Sequence, residues 1–243
     1  MKTSLFAAAV AALATPVVFA QERDPTSEIY TDSSSNITFN TWSPTPFVTI
    51  GVALPPDALQ TDADEFVLPL TLPFMQTCSD PAGWCGVSLG GGMVSNLLVL
   101  AYPSPSNPEK ILTSLRWASD YGPPIEPYNG DARLTQISST LNATHYQVLF
   151  RCEKCLGEWR HGEEQQGASF PSSGGFLLFG WCHASSAPFG EAECADTAEM
   201  GQHDSQGLFG AEVTSFTLAS SAEEYALWAG KATGGAADGE CVA

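Results

Sequence analysis

Basic residues are scarce in this chain: 9 Lys and Arg stand against 27 Asp and Glu, a formal charge of −18 over 243 residues. Such a surface repels polyanions, which excludes nucleic acid and disfavours anionic membranes as partners. It suits solubility in an acidic extracellular medium, or steering of a less acidic redox partner. Long apolar runs are missing beyond the amino terminus, so no later segment is long enough to span a bilayer, and the Gly/Ala/Asp-rich ending lacks the hydrophobic tail of a lipid-anchor signal. The dinucleotide fingerprint is missing too: the only glycine cluster, Gly90-Gly91-Gly92-Met93-Val94-Ser95, lacks its third glycine and leads into a strand instead of a helix. No GxSxG elbow occurs, and His145, His161 and His183 form no spaced metal motif with one another. Nothing singles out two of the many acids as a glycosidase pair. No internal repeat is visible.

The amino terminus itself reads as a secretory signal peptide over residues 1–20. Lys2 supplies the positive end, Leu5 to Val18 is mostly apolar, and Val18-Phe19-Ala20 fits small-residue cleavage. Removing it leaves 223 residues of formal charge −19, beginning at Gln21. A secreted copper monooxygenase would need histidine there, so that class is disfavoured. The remaining chain divides into one large β domain, 21–229, and a Gly/Ala/Asp-rich tail, 230–243, expected to be flexible and to be the stub of a linker.

What the chain has in quantity is short β-rich runs between Pro/Gly clusters: Phe47 to Leu54, Glu65 to Leu70, Trp84 to Leu89, Asn96 to Tyr102, Ile111 to Ala118, Ala132 to Ser138, His145 to Arg151, Gly175 to Trp181 and Leu208 to Phe216. That spacing predicts an all-β antiparallel sandwich. The one helical signature comes late, where Ser221 and Glu224 make a capping box ahead of Tyr225, Leu227 and Trp228. Two glycosylation sequons, at Asn36 and Asn142, fall between strands.

Seven cysteines in a secreted chain imply disulfides. Proximity suggests three local pairs, Cys78 with Cys85, Cys152 with Cys155 and Cys182 with Cys194, leaving Cys241 over. The Cys152-Glu153-Lys154-Cys155 spacing also occurs elsewhere, but zinc would want a second ligand pair, a redox site βαβ periodicity, and covalent haem a His where Leu156 stands. A structural disulfide is the better reading.

Two residues offer chemistry that this census does not absorb. Met93 sits between three glycines and the apolar strand that follows, and His203 lies in the polar loop Gln202-His203-Asp204-Ser205 that enters the last strand. Singly, a methionine there reads as a gap-filler and a loop histidine as solvent-exposed. Jointly, each ends a strand, and they could meet across a ligand wedged at one end of the sheets. Met200 is a poorer partner for His203, because residues three apart lie side by side whereas axial haem ligands approach iron from opposite faces. Geometry alone leaves Met75 open.

Four separated motifs, in order, resemble one family: Trp84-Cys85-Gly86-Val87-Ser88-Leu89-Gly90-Gly91-Gly92-Met93, Arg116-Trp117-Ala118-Ser119-Asp120-Tyr121, Phe150-Arg151-Cys152-Glu153-Lys154-Cys155 and Gln202-His203-Asp204. From about Phe47 to about Trp228 the chain is similar to the cytochrome domain of fungal cellobiose dehydrogenase, a DOMON-like haem domain also found as a free-standing secreted iron-reductase-type cytochrome b. The resemblance implies an immunoglobulin-like β-sandwich binding haem b at one end, with Met93 and His203 as axial ligands, Tyr121 near a haem propionate and Cys152–Cys155 as a family disulfide. One departure is Tyr102, where the family commonly has tryptophan. The flavin dehydrogenase domain that follows in cellobiose dehydrogenase has no counterpart motif here. The implied role is therefore a secreted, monomeric electron carrier between an extracellular flavin or quinone sugar dehydrogenase and a copper polysaccharide monooxygenase or ferric iron. The competing expectation is a haem-free carbohydrate-binding or adhesion sandwich.

Overall fold

The computed structural model describes residues 26–73, 83–107, 109–122, 124–214 and 218–232. The predicted signal peptide, Met75, Cys78, Cys241 and most of the predicted tail lie outside these residues. In chain order the strands are β1 (Glu28–Thr31), β2 (Thr38–Thr45), β3 (Val48–Val52), β4 (Phe66–Pro73), β5 (Trp84–Ser88), β6 (Leu97–Pro103), β7 (Ile111–Trp117), β8 (Glu126–Pro127), β9 (Arg133–Leu141), β10 (His145–Glu153), β11 (Glu158–His161), β12 (Gln165–Ala168), β13 (Phe176–Ala184) and β14 (Ser205–Glu212). One helix, α1 (Ala222–Ala229), follows them. The first sheet has the order β1-β2-β3-β4-β10-β9 and the second β14-β13-β5-β6-β7-β8, while β11 and β12 form a separate hairpin. All strand pairs are antiparallel. This is the all-β sandwich that the strand spacing predicts.

Residues of alternate parity face the interior, as strand geometry requires. Ile50, Phe66, Leu68, Val148 and Phe150 of the first sheet meet Val87, Val99, Trp117, Phe179 and Phe209 of the second in one buried cluster that fills the space between them. Each sheet is also covered on its outer face. Phe39, Val67 and Leu149 pack under Tyr225 and Trp228 of α1. Trp84, Leu100, Tyr102 and Leu112 pack under Ala195 and Ala198 of the connection from β13 to β14. Double coverage explains why β5 and β6 read as unbroken apolar runs instead of alternating ones: every residue of both is buried.

α1 is capped as its sequence predicts on one side only. Ser221 Oγ accepts from Glu224 N at 3.1 Å, but the Glu224 carboxylate turns to Ser220, accepting from its N at 2.7 Å and its Oγ at 2.6 Å. Strands β1, β2, β8 and the β11–β12 hairpin were not expected. Polar residues dominate β1, β11 and β12, whose exposed or alternating faces leave no apolar run to read. The last strand begins at Ser205, not Leu208, because its polar first residues pair with β13.

Two of the three suggested disulfides are corrected. Cys152 and Cys155 are joined. Cys85 and Cys182 both keep free thiols, so neither Cys78–Cys85 nor Cys182–Cys194 forms; Cys194 is disulfide-bonded elsewhere. Cys85 points into the core, its Sγ 3.2 Å from Tyr146 Oη, and burial pushes its thiol up to about 12. Cys182 pairs with Gly86 and packs on the opposite, outer face beside Leu100. Adjacent strands thus hold the two sulfurs on different sides of the sheet.

Candidate functional site

The outer face of the second sheet receives two segments, one from each end. Leu177, Phe179 and Phe209 face the core, which turns Gly180 of β13 outward, in register with Ser88 of β5 and Leu208 of β14. After Ser88 the chain leaves the sheet and folds back over this face. Gly91 takes φ +91°, open to glycine at little cost. Its carbonyl oxygen settles so close to the sheet that a Cβ built on Gly180 would lie 2.0 Å from it. The turn is then tied down at several points: Ser88 Oγ donates to the Gly92 carbonyl, Asn96 Nδ2 to the Val94 carbonyl at 3.0 Å, and Ser95 N to the Ala118 carbonyl at 2.9 Å. Met93 is half-buried at the apex of this anchored turn and, among the described residues, belongs to none of the packed clusters.

His203 arrives from the other end of the same strands. The connection from β13 to β14 closes at its base where Asp204 N donates to the His183 carbonyl at 2.8 Å. Asp204 Oδ2 accepts from Ser185 N and Oγ at 2.6 and 2.7 Å, which holds the carboxyl below its usual range. His203, half-buried, stands immediately before this closure. Gly180, where the Met93 turn lands, and His183, where the His203 segment is tied, are three residues apart on β13, about 10 Å along a strand. Beside Gly180 the surface is apolar: Leu178 and Leu208 flank Gly91, and Leu208 is 59% exposed.

These features fit haem. The donor set, one thioether and one imidazole, is that of low-spin cytochromes. Both donors come from segments whose positions are fixed by backbone hydrogen bonds instead of by packing of the donors themselves. Exposed Leu208 and half-buried Leu178, beside the methionine turn, are the surface a large apolar ring would cover. Met200 is a poorer candidate for a structural reason as well, since it packs against the Trp84–Tyr102 cluster. The other histidines are committed elsewhere. His183 stacks on Phe47 at 5.1 Å facing the core, where burial lowers its pKa. His161 stacks on Trp117 at 5.5 Å with Nε2 3.0 Å from Glu126, and His145 is held in the Asn142 turn. Among the described residues no group of three or more His, Cys, Asp or Glu could hold a metal ion.

Tyr121 is 83% exposed and lies three residues beyond Ala118, whose carbonyl anchors the Met93 turn. The structure therefore brings the Met93 turn and the Tyr121 loop into direct hydrogen-bonded contact, while His203 stands apart at the far end of β14. Asn36 and Asn142 are exposed in turns, the latter with its side-chain oxygen accepting from Thr144 and His145. Sequence reading assigned no role to Arg116, which is 2% exposed and donates to the backbone carbonyls of Ile125, Ala195 and Ala198. Its signal was present: a lone cation in the otherwise uncharged strand Ile111–Trp117. Trp84 Nε1 and Tyr102 Oη, both buried on this outer face, have no hydrogen-bond partner among the described residues.

No helix among the described residues is long and apolar enough to cross a membrane. The sequence matches the family described as cytochrome domain of cellobiose dehydrogenase over residues 30–226. The fold superposes with a TM-score of 0.77 on the cytochrome domain of Myriococcum thermophilum cellobiose dehydrogenase, at 39% identity, covering 88% of this chain and 100% of that one. The cytochrome b domain of Coprinopsis cinerea pyranose dehydrogenase, at 22% identity and a TM-score of 0.62, covers 84% of this chain and 95% of its own and shows the same fold. A pyrroloquinoline quinone-dependent pyranose dehydrogenase of Coprinopsis cinerea is 38% identical over 109 residues, 44% of this chain but only 14% of that enzyme's length. With most of its length matched by the family and by a domain 39% identical to it, the chain belongs to the cytochrome domains of cellobiose dehydrogenase.

Proposed function

We propose that this chain is a haem b electron-transfer protein in which Met93 and His203 are the axial ligands and Tyr121 stands at the propionate edge. The observation that supports the reading is that the segments carrying Met93 and His203 are each tied by backbone contacts to the second sheet, with neither side chain used in a packed cluster among the described residues. Bound there, haem b would supply a reversible one-electron iron couple. Met93 and His203 would be the residues that hold it, and with both sides of the group taken up by protein the chemistry supplied would be outer-sphere electron transfer. The Met93 thioether, a soft donor, biases the site toward the ferrous state and a higher potential. Ser95, whose N donates to the Ala118 carbonyl, and the Val94–Ala118 bridge would keep the backbone of the Met93 turn in place.

The donor in this reading is an extracellular sugar dehydrogenase carrying flavin or quinone. Membership in a family named for cellobiose dehydrogenase, and partial identity to a quinone-dependent pyranose dehydrogenase, support that class. The acceptor is a copper polysaccharide monooxygenase or ferric iron. The signal peptide, the sequons and the acidic charge support secretion and function as a soluble monomer outside the cell. A reduced-minus-oxidised visible spectrum of the secreted protein tests the proposal. A low-spin b-type spectrum that is altered by Met93→Ala and lost in His203→Ala supports it; absence of a Soret band overturns it in favour of a haem-free binding sandwich.

A further inference from the structure

Arg116 lies on the outer face of the second sheet, in the cross-strand row that runs Leu208, Gly180, Ser88, Leu98, Arg116. The Met93 turn lands on Gly180 and is tied by Ser88 in that same row. Arg116 is almost completely buried, and among the described residues its guanidinium has no carboxylate within ion-pair distance. Asp196, in the turn that Arg116 holds, favours the charged form electrostatically without reaching ion-pair distance, and a buried charge bonded only to neutral acceptors is costly. Here every acceptor is neutral. Nε donates to Ser114 Oγ at 3.1 Å, Nη1 to the Ile125 carbonyl at 3.0 Å, and Nη2 to the carbonyls of Ala195 and Ala198 at 2.6 and 2.8 Å.

Those last two contacts fix the middle of the long connection between β13 and β14, the connection that ends at His203. Around them it is also braced by the Phe189–Glu199 bridge and by Glu193, which accepts from Ser104 Oγ at 2.7 Å. Among the described residues the only buried cation in the connection's contacts is Arg116, and the fork of its guanidinium lets one residue bond the Ile125 carbonyl together with those of Ala195 and Ala198.

We propose that Arg116 is a positioning residue for the candidate haem site: it clamps the 195–198 turn onto the sheet and so fixes the approach of His203. This rests on the haem reading above. Losing charge-assisted bonds from a buried group loosens what they held by about 10- to 100-fold in equilibrium population. Arg116→Met and Arg116→Lys are compared with wild type and with Val148→Ala, a core truncation in the opposite sheet that lowers stability without touching this connection. Two readouts are taken on the full chain: hydrogen exchange of the amides of residues 195–204, and the rate at which the loaded protein yields haem to a scavenger, with the fraction of high-spin ferric iron.

In Arg116→Met, exchange over 195–204 rises about 10- to 100-fold, haem loss accelerates and high-spin iron appears. Arg116→Lys, which keeps the charge but not the fork, falls between, and Val148→Ala changes neither local exchange nor spin state. Unchanged exchange in Arg116→Met, or faster exchange with unaltered haem retention and spin state, overturns the proposal. If Arg116→Met does not fold, Arg116→Lys carries the same comparison alone. A wild-type protein that binds no haem overturns the haem reading, and this is distinguished from failure of the clamp because local exchange is read independently of haem.

Discussion

Gly180→Ala probes the platform on which the methionine turn rests, from a strand far from Met93 in sequence. The added methyl would stand 2.0 Å from the Gly91 carbonyl oxygen, where ordinary van der Waals contact begins near 3.4 Å. The obstruction is backbone, in a turn fixed by Ser88, Asn96 and Ala118, so it cannot be relieved by rotating a side chain. The turn must rise from the sheet by about 1.4 Å, and overpacking of this kind costs about 1–3 kcal/mol. At roughly 2–4 °C per kcal/mol for a chain of this size, Tm should fall by about 2–12 °C. More telling is the ligand, because a donor held about 1 Å out of place cannot keep its bond to a metal fixed by a second donor. The substituted protein should therefore load haem through His203 but show a weakened sixth ligand, a lower midpoint potential and a mixed-spin ferric spectrum. Gly207→Ala is the control, since its methyl would meet the Trp181 indole at 2.8 Å, a side chain. It should lower Tm without altering the spectrum. Potentiometric titration with visible spectroscopy decides: a Gly180→Ala protein with wild-type potential and spectrum would refute the placement of Met93 as a ligand.

Met93→His should keep a six-coordinate low-spin haem at a lower potential, because a soft donor is exchanged for a better donor to ferric iron, and redox titration checks it. Stability should decline as pH falls below about 6.5, because burial depresses the His183 pKa in the folded state, so the unfolded chain takes up a proton that the native imidazole resists. His183→Phe, which preserves the stack on Phe47, should flatten that part of the Tm-versus-pH curve. Reducing Cys152–Cys155 should lower Tm without changing the visible spectrum, by less than the about 3 kcal/mol of a 15-residue loop; finding both thiols free by mass spectrometry in the secreted protein would contradict it. Cellobiose alone should leave the ferric protein oxidised, whereas adding a flavin or quinone sugar dehydrogenase should reduce it and a copper monooxygenase or ferric chelate should reoxidise it in stopped flow. With a negatively charged partner the rate should rise with salt, as repulsion is screened over about 8–10 Å.

The sequence alone determined the layer architecture and the two strongest ligand candidates. Strand identity follows from local alternation and from turn residues, so runs such as Ile111–Trp117 and His145–Glu153 were readable wherever an apolar face exists. The glycines before Met93 were legible because only a close backbone approach needs three of them, and the structure supplies that approach at Gly180. Polar edge elements were not legible: β1, β11 and the start of β14 carry no apolar run, and their order comes from backbone pairing with neighbouring strands. Disulfide pairing by proximity held for Cys152 with Cys155 but not for Cys85 and Cys182, whose thiols are free on β5 and β13. Only the tertiary structure decided that the Met93 turn and the His203 connection reach the same outer face, that Met200 packs among aromatic side chains, and that Arg116 holds the carbonyls of Ala195 and Ala198. Local sequence fixes the period and hence which residues share a face, whereas strand order, and with it which faces meet, depends on contacts between residues far apart in the chain.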